Sequence, residues 1–349
     1  MFDLNTLIRD NIKALKPYSS ARHEFTGKAS IFLDANENPF GSPLADKFNR
    51  YPDPYQWQLK FQLADIKGVP AENIFVGNGS DEVIDLAYRI FCAPGVDNVI
   101  VCPPTYGMYE VSGDINDVTI KKVNLVEGFQ LDVEGILAAV DDNTKLIFIC
   151  SPNNPTGNNM RREDVEIILN NFSGIVIIDE AYINFSKQKT FIQELTEYPN
   201  LIVMQTLSKA WGLAALRLGL CYASMDIIDL FNKVKPPYNI NDASQQLGVE
   251  ALQNTDIVNE WTTSVVQQKE WLIKEMGNFT FVQTIYPSDA NFFLMKVNDA
   301  AKLYDYLSAN EVVVRNRSKD TGCANCLRIT IGTPEENKQF VQLLKNYNQ

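Results

Sequence analysis

The chain has 349 residues, of which 45% are hydrophobic and 21% charged, so it is long and apolar enough to bury a large core. Its formal net charge of -12 at pH 7 argues against nucleic-acid binding, because contacts to phosphates need a basic face. No apolar run approaches the roughly 20 residues of a membrane-spanning helix, and the N-terminal region lacks the apolar stretch of a signal peptide. We therefore expect a folded cytoplasmic protein that binds neither nucleic acid nor membrane.

Histidine and cysteine usage argues against several kinds of site. His23 is the single histidine, so it would be the only base available to a Ser-His-Asp or Cys-His site. Its position in an N-terminal loop favours a surface or contact role instead. Among the six cysteines, only Cys323 and Cys326 have metal-like spacing, and no second such pair completes four ligands. We expect no metal site and six structural thiols.

Residues 4–15 carry apolar side chains at helical spacing, which predicts an N-terminal helix. From residue 73 to 222, short apolar runs then alternate with amphipathic stretches. The strand-like runs are NIFV, NVIVC, VTIKKV, KLIFIC, IVIIDE, LIVMQ and LGLCYA. The helical stretches include 81–92, 132–140 and 161–172. This alternation predicts an α/β domain, with a mostly parallel seven-stranded sheet between two layers of helices.

The pattern changes after KVKPPYNINDAS at residues 233–244. Helices are predicted at 245–277, 299–309 and 334–347. The strand-like runs among them are FTFVQTIY, ANFFLMKV, VVVRNR and CLRITIG. We expect a smaller α+β domain over residues 246–349, behind a large domain over residues 46–245. No low-complexity linker separates them, so the two domains should pack closely.

Four loops that follow strand-like runs carry polar groups that core packing does not require. In FVGNGSDE, Gly79 allows a tight turn, and Ser80 and Asp81 open a helix whose N-terminus suits a phosphate. A plain capped turn, with Ser80 or Asp81 as N-cap, is the alternative. In SPNNPTG, Asn154 lies in a rigid loop that would fix its amide at a sheet edge, although an ordinary Asn-Pro turn explains the motif as well.

The other two loops bring charged groups. In VIIDEAYINF, Asp179 and Tyr182 end a strongly apolar strand, where a carboxylate either caps the next turn or pairs with a buried cation. In QTLSKAWGLAALRLG, Lys209 follows another apolar run; it is either a nucleophile beside a dry strand end or a surface lysine before a helix. The same stretch could bind an anion through Thr206, Ser208 and Arg217.

Together the four loops supply a phosphate cradle, a carboxylate, a tyrosine, an amide and a lysine. Chemistry in such sheets collects in the loops beyond the strand ends, so we expect these groups to meet there. They are the groups that a pyridoxal phosphate site requires.

The sequence resembles the fold-type I pyridoxal phosphate aminotransferases, and among them the histidinol-phosphate aminotransferases. The resemblance covers nearly the whole chain in an ordered set of motifs: PYSSAR, LDANENPFG, RYPDP, GNGSDE, CPPTYGMY, SPNNPTG, DEAYINF, TLSKAWGLAALRLG, KPPYNIN and CLRITIGT. It implies a homodimer in which residues 1–45 pack against the small domain and the partner subunit.

The resemblance also implies roles toward the cofactor. Lys209 would form a Schiff base with the cofactor aldehyde and later move a proton between substrate and cofactor, while Asp179 would pair with the ring nitrogen. Tyr182 and Asn154 would hydrogen-bond the phenolic oxygen of the ring, and Tyr106 would stack on its face. The cofactor phosphate would be held by Gly79, Ser80, Asp81, Thr206, Ser208 and Arg217, with Tyr51 reaching it from the partner subunit.

Toward substrate, Arg328 in CLRIT matches the carboxylate-binding arginine of the family. Histidinol phosphate has no carboxylate, so this arginine would take the substrate phosphate in one half-reaction and the glutamate carboxylate in the other. Arg315 matches an additional arginine of the histidinol-phosphate branch, although a solvated strand end beside Arg317 is the alternative reading. Tyr18 would cover the pocket from the N-terminal segment.

These roles predict a ping-pong exchange that converts L-histidinol phosphate and 2-oxoglutarate to imidazole acetol phosphate and L-glutamate, within histidine biosynthesis. Two alternatives share the fold and Lys209. One is an aminotransferase for aromatic amino acids, and the other is a phosphate-recognising decarboxylase of the threonine-phosphate type.

Overall fold

A computed structural model describes residues 2–18, 31–44 and 48–347 of the chain. Every residue predicted to form the site lies within these ranges. His23, most of the PYSSAR motif and the predicted boundary between residues 45 and 46 lie outside them.

The larger of two sheets has seven strands in the order β1-β7-β6-β5-β4-β2-β3. The strands are β1 (Ile74–Asn78), β2 (Asn98–Val101), β3 (Thr119–Lys122), β4 (Thr144–Cys150), β5 (Ile175–Asp179), β6 (Leu201–Thr206) and β7 (Leu218–Tyr222). Only β7 runs against its neighbours, β1 and β6. The predicted mostly parallel α/β sheet is therefore confirmed.

Helices cover both faces of this sheet. In the described ranges the helices are α1 (Leu4–Leu7), α2 (Asp10–Ala14), α3 (Trp57–Lys67), α4 (Ser80–Phe91), α5 (Met108–Ile115), α6 (Val133–Ala139), α7 (Arg162–Asn171), α8 (Met225–Val234), α9 (Asp242–Leu252), α10 (Thr255–Met276), α11 (Ala300–Ala309) and α12 (Pro334–Leu344). Residues of α4 and α8 share one apolar cluster with the strands, and residues of α3 and α7 share the cluster on the opposite face. Every residue of β5 and β6 is buried, because both faces are covered.

The smaller sheet is antiparallel, in the order β10-β11-β9-β8. Its strands are β8 (Val282–Ile285), β9 (Phe292–Val297), β10 (Arg315–Asn316) and β11 (Cys326–Thr330). Helices α10, α11 and α12 pack on it around a separate apolar cluster. The predicted strand at 312–317 is thus reduced to two residues.

The predicted long helix over 245–277 is two helices, α9 and α10. Asn254 separates them with a backbone φ of -109° and ψ of 41°, and its side chain donates to the carbonyl of Glu250 at 3.1 Å. An asparagine side chain that satisfies the backbone locally competes with helix continuation. Helix α9 consequently packs against α3 beside the large sheet, while α10 belongs to the small one.

No helix in the described part of the chain is long and apolar enough to cross a membrane. The division at residues 45 and 245 remains a prediction.

Candidate active site

A cavity of about 590 Å³ lies at the carboxyl edge of the large sheet, where the small sheet closes over it. Most of the predicted site residues line it: Ser80, Asp81, Tyr106, Asn154, Asp179, Tyr182, Thr206, Ser208, Lys209, Arg217, Arg315 and Arg328. Five basic and two acidic side chains occur among the lining residues of this acidic protein. The cavity is therefore suited to an anionic ligand.

Parallel strands bring these residues together. Asp179 is the last residue of β5 and Thr206 the last of β6, while Asn154 follows β4 and Tyr106 follows β2. Because these strands run in one direction, the loops after them meet at one edge of the sheet. Residues separated by a hundred positions in sequence thus share one wall.

The turn before α4 is built for close backbone approach. Gly79 has a φ of +76°, a conformation that favours glycine, and its amide donates to the carbonyl of Arg217 at 2.7 Å. A Cβ atom at Gly79 would collide with the Arg217 guanidinium. The first N-H groups of α4, starting at Ser80, have no partner within the helix and can bind an anion.

Side chains beside this turn are already connected to one another. Arg217 pairs with Asp81 at 3.1 Å, and the Tyr106 hydroxyl donates to the other oxygen of Asp81 at 3.0 Å. The hydroxyl of Thr206 donates to that of Ser208 at 2.9 Å. The cation and the hydroxyl groups predicted to hold a phosphate therefore surround the start of α4.

Lys209 lies beyond β6, with its ammonium 5.6 Å from the centre of the Tyr182 ring. Burial lowers the pKa of Lys209, and the positive charge of Arg328 lowers it further, while Asp179 acts in the opposite direction. A larger fraction of the Lys209 amine is therefore neutral than in an exposed lysine, and the neutral amine can act as a nucleophile or base.

Asp179 is almost fully buried, and each of its carboxylate oxygens accepts one hydrogen bond. The Tyr109 hydroxyl donates to Oδ2 at 2.7 Å, and the Ala181 amide donates to Oδ1 at 3.0 Å. Burial raises the pKa of Asp179, whereas these two hydrogen bonds and the charge of Lys209 lower it. Asp179 is thus a buried carboxylate whose charge depends on its donors.

Asn154 connects the two sheets, because its Oδ1 accepts from Arg328 of β11 at 2.6 Å. The amide nitrogen is then the end of Asn154 left to donate to a ligand. Tyr182 packs edge-on against Phe292 of β9 at 5.1 Å, and burial raises its pKa. The hydroxyl of Tyr182 therefore stays a hydrogen-bond donor at neutral pH.

Three arginines on or next to the small sheet converge on the cavity. Arg315 pairs directly with Arg328 across β10 and β11, and Arg317 follows two residues later on the same side. The Nε of Arg328 is buried without a hydrogen-bond partner among the described residues. Burial lowers the pKa of Arg328, and the charges of Arg317 and Arg315 contribute to the shift. Arg317 pairs with Asp320, but among the described residues no carboxylate pairs with Arg315 or Arg328, which points to an anionic ligand.

Two predicted residues lie away from this cavity. Tyr51 lines a separate cavity of about 580 Å³, half-exposed and stacked on Tyr238 with the ring centres 4.5 Å apart. Tyr18 is 77% exposed and lines neither cavity. The described chain therefore does not bring Tyr18 or Tyr51 to Lys209.

Three further residues support the site but were not predicted. Tyr109 holds Asp179, and Arg317 adds a cation that the alternation of side chains after Arg315 could have indicated. The buried side chain of Asn153 donates to the carbonyl of Pro104 at 2.8 Å and accepts from the hydroxyl of Thr105 at 3.0 Å. Asn153 thereby ties the loop that carries Asn154 to the loop that carries Tyr106.

The sequence profile of the family "Aminotransferase class I and II" matches residues 33–344. The chain belongs to this family. Histidinol-phosphate aminotransferase from Cytophaga hutchinsonii is 54% identical to this aminotransferase over 346 residues, which cover 99% of each chain. The enzyme of the same name from Bacteroides thetaiotaomicron is 51% identical over 348 residues, again 99% of each chain.

A solved structure extends the comparison to three dimensions. Histidinol-phosphate aminotransferase from Sinorhizobium meliloti, in complex with pyridoxal-5'-phosphate, matches this aminotransferase with a TM-score of 0.78 at 23% identity. The match covers 89% of this chain and 90% of that chain. The two proteins share the fold.

Proposed function

We propose that this chain is a pyridoxal-phosphate-dependent aminotransferase that converts L-histidinol phosphate and 2-oxoglutarate to imidazole acetol phosphate and L-glutamate, in histidine biosynthesis. The observation that carries the proposal is that Lys209 and Asp179 share one cavity with Arg315 and Arg328. Relatives at 54% and 51% identity over nearly the full chain are named for this activity. They do not favour the aromatic aminotransferase or the decarboxylase.

The cavity fits pyridoxal phosphate. The start of α4 offers N-H groups beside Arg217 for a phosphate, and the Gly79 turn has no room for a side chain. Asp179 presents a buried carboxylate, and Asn154 keeps an amide donor free because its oxygen accepts from Arg328. Pyridoxal phosphate, when bound, supplies an aldehyde that captures the substrate amine and a ring that withdraws electrons from the substrate carbon.

The residues of this chain would bind that group and move protons. Arg217, with Thr206, Ser208 and the first N-H groups of α4, would hold the phosphate. The Asp179 carboxylate would keep a proton on the ring nitrogen, since an ionised buried acid favours a positive neighbour. Lys209 would carry the proton between the substrate carbon and the cofactor through its Nζ atom, for which its lowered pKa suits it.

The arginines would hold the acidic end of each substrate. Arg328 and Arg315 would bind the phosphate of histidinol phosphate and then the carboxylate of glutamate. Arg317 adds a third positive charge, with its Nε 2.5 Å from Asp320. Because a phosphate is a dianion and a carboxylate of glutamate a monoanion, the third arginine should favour the phosphate substrate.

We also infer a homodimer in which Tyr51 reaches the cofactor phosphate of the partner subunit and residues 1–45 contribute to the interface. The exposure of Ile31, Leu33 and Phe40, at 74%, 90% and 97%, supports an interface in this region. Light scattering of the purified protein tests this assembly, and a monomeric mass would refute it. Six buried free cysteines agree with a reducing, cytoplasmic location.

The test of function is a panel of amino donors with the purified, cofactor-loaded protein and 2-oxoglutarate as acceptor. Histidinol phosphate should give a higher kcat/KM than phenylalanine. Preference for phenylalanine would point to the aromatic alternative. Release of carbon dioxide from threonine phosphate would point to the decarboxylase.

A further inference from the structure

Tyr109 is a buried tyrosine on α5 that the activity proposed above does not use. Its side chain is fully buried, so it lies behind the wall of the cavity rather than on it. Its hydroxyl donates to Oδ2 of Asp179 at 2.7 Å. A hydrogen bond from a neutral donor to an ionised acceptor is among the stronger hydrogen bonds in proteins.

The aromatic neighbours of Tyr109 fix the direction of this hydroxyl. Its ring stacks on Phe148 of β4 with centres 4.8 Å apart and planes 15° apart. Phe148 stacks in turn on Tyr88 of α4 at 5.6 Å, and the Tyr88 hydroxyl donates to the carbonyl oxygen of Tyr109 at 2.7 Å. Tyr106, which lines the cavity, packs edge-on against Tyr109 at 5.6 Å. The ring of Tyr109 is therefore held between aromatic neighbours.

The Tyr109 hydroxyl is important for the charge of Asp179 because of the other groups around that carboxylate. Burial raises the pKa of Asp179, and the Tyr109 hydrogen bond is the largest influence that lowers it, ahead of the Ala181 amide and the charge of Lys209. Asp81 raises it slightly. The other titratable groups nearby are neutral, because burial raises the pKa of each; they are Cys150, Tyr106 and Tyr182.

Tyr109 itself stays protonated, since burial and the negative charge of Asp179 raise its pKa well above the usual value. It is thus a permanent donor to one oxygen of Asp179. Asp179 lines the cavity, and a carboxylate oxygen that accepts one hydrogen bond keeps a second lone pair for a ligand.

We propose that Tyr109 is a positioning residue that keeps Asp179 ionised and directed into the cavity. This inference rests on the proposed function, because an ionised Asp179 matters only if it faces the ring nitrogen of pyridoxal phosphate. Without the Tyr109 hydroxyl, the buried carboxylate takes up a proton at higher pH and no longer favours a positive ring nitrogen.

The test is Tyr109→Phe in the full chain, which removes one hydroxyl and keeps the stacked ring. The Kd of the purified apoprotein for pyridoxal phosphate is measured by equilibrium dialysis between pH 5.5 and 8.5. We expect the Kd to rise roughly 10- to 100-fold, the range for loss of a hydrogen bond to a charged group. The pH below which affinity is lost should also move upward, because the Asp179 pKa rises.

Tyr88→Phe is the matched control. It removes a buried hydroxyl from the same aromatic stack, but that hydroxyl donates to a main-chain carbonyl. It should lower the Tm as much as Tyr109→Phe does, while leaving the pH dependence of cofactor binding unchanged. An equal shift of the pH profile in both variants would overturn the proposal, because the effect would then be structural.

A second substitution strengthens the hydrogen bond to Asp179 instead of removing it, so the protein should fold as wild type does. A 3-fluorotyrosine at position 109 is a stronger donor of nearly the same size, so the acidic limb of the affinity profile should move to lower pH. If neither the 3-fluorotyrosine protein nor Tyr109→Phe changes the pH profile of cofactor affinity, this inference is overturned and the proposed function is not affected. A wild-type protein that binds no pyridoxal phosphate at Lys209, as judged by borohydride reduction and peptide mapping, would instead refute the proposed function.

Discussion

Gly219→Ala tests whether the contact between β7 and the start of α4 maintains the phosphate cradle, meaning the Gly79 turn and the first N-H groups of α4 that we propose hold the cofactor phosphate. A Cβ atom at position 219 would lie 2.5 Å from the carbonyl oxygen of Gly79, and closer still to the Gly79 carbonyl carbon and the Ser80 nitrogen. All of these are backbone atoms, so no side-chain rotation can relieve the contact. Overpacking of a core costs about 1–3 kcal/mol, and a collision with backbone should fall at or above the upper end of that range.

We therefore expect Gly219→Ala to lower the free energy of unfolding by about 3 kcal/mol, and the Tm by roughly 5 °C or more. The turn that carries the Ser80 N-H must move, so the Kd for pyridoxal phosphate should rise at least about tenfold, as preorganised sites tolerate displacements of only about 0.5 Å. Thermal melts with and without cofactor, together with equilibrium dialysis, measure both effects.

Gly277→Ala is the control for the chemical change itself. Gly277 ends α10 with a φ of -61°, and the nearest atom to an added Cβ there is the carbonyl oxygen of Lys274 at 3.5 Å. This variant should be neutral or slightly more stable, by up to about 1 kcal/mol. A Gly219→Ala protein with wild-type Tm and cofactor affinity would show that β7 and the cradle are not in rigid contact.

Three other substitutions probe separate parts of the molecule. Lys209→Ala should reduce kcat by at least roughly 10²- to 10⁴-fold and abolish the visible absorbance of the bound cofactor; retained transamination would contradict the role given to Lys209. Arg317→Gln should lower kcat/KM for histidinol phosphate about tenfold or more and that for glutamate less than about threefold, as steady-state kinetics would show; equal losses would argue against a role in selectivity. Burial lowers the pKa of Lys60 to about 8, against about 10.4 in the unfolded chain, so below pH 8 the fold must hold a charge at a cost of about 3 kcal/mol. Lys60→Met should therefore be more stable than wild type in urea unfolding at pH 7. This gain should fade between pH 8 and 10.5, because the unfolded wild-type chain there binds more protons than the folded one and wild type becomes more stable. A gain in stability that persists at pH 10.5 would contradict the lowered pKa of Lys60.

The cavity could be predicted from the sequence because its residues follow unmistakable strands. The runs that become β5 and β6 are almost wholly apolar, so the polar residues that end them, Asp179 and Thr206, stand out. Parallel strands then place such ends at one edge whatever their separation in the chain. The same reasoning predicts Asn154 and Lys209.

Contacts that depend on tertiary packing could not be predicted in this way. Helix α5 contains Ser112 and Gly113, which are weak helix formers, and Gly113 lies directly against the end of the Ile120 side chain. Since α5 was not predicted, neither was the contact between Tyr109 and Asp179, 70 positions apart. The separate cavity that Tyr51 lines depends on the path of the chain before α3, on which periodicity carries no information.

The hydrogen bond from Arg328 to Asn154 has a consequence for the evolution of new specificities. An exchange of Arg328 for another residue would release the Asn154 amide, so a mutation that alters substrate choice would also disturb cofactor binding. Arg317 pairs with Asp320 and makes no hydrogen bond to Asn154, so its exchange would leave the bond between Arg328 and this amide in place. New substrates should therefore be easier to acquire through changes at Arg317, with Arg328 retained across descendants of different specificity.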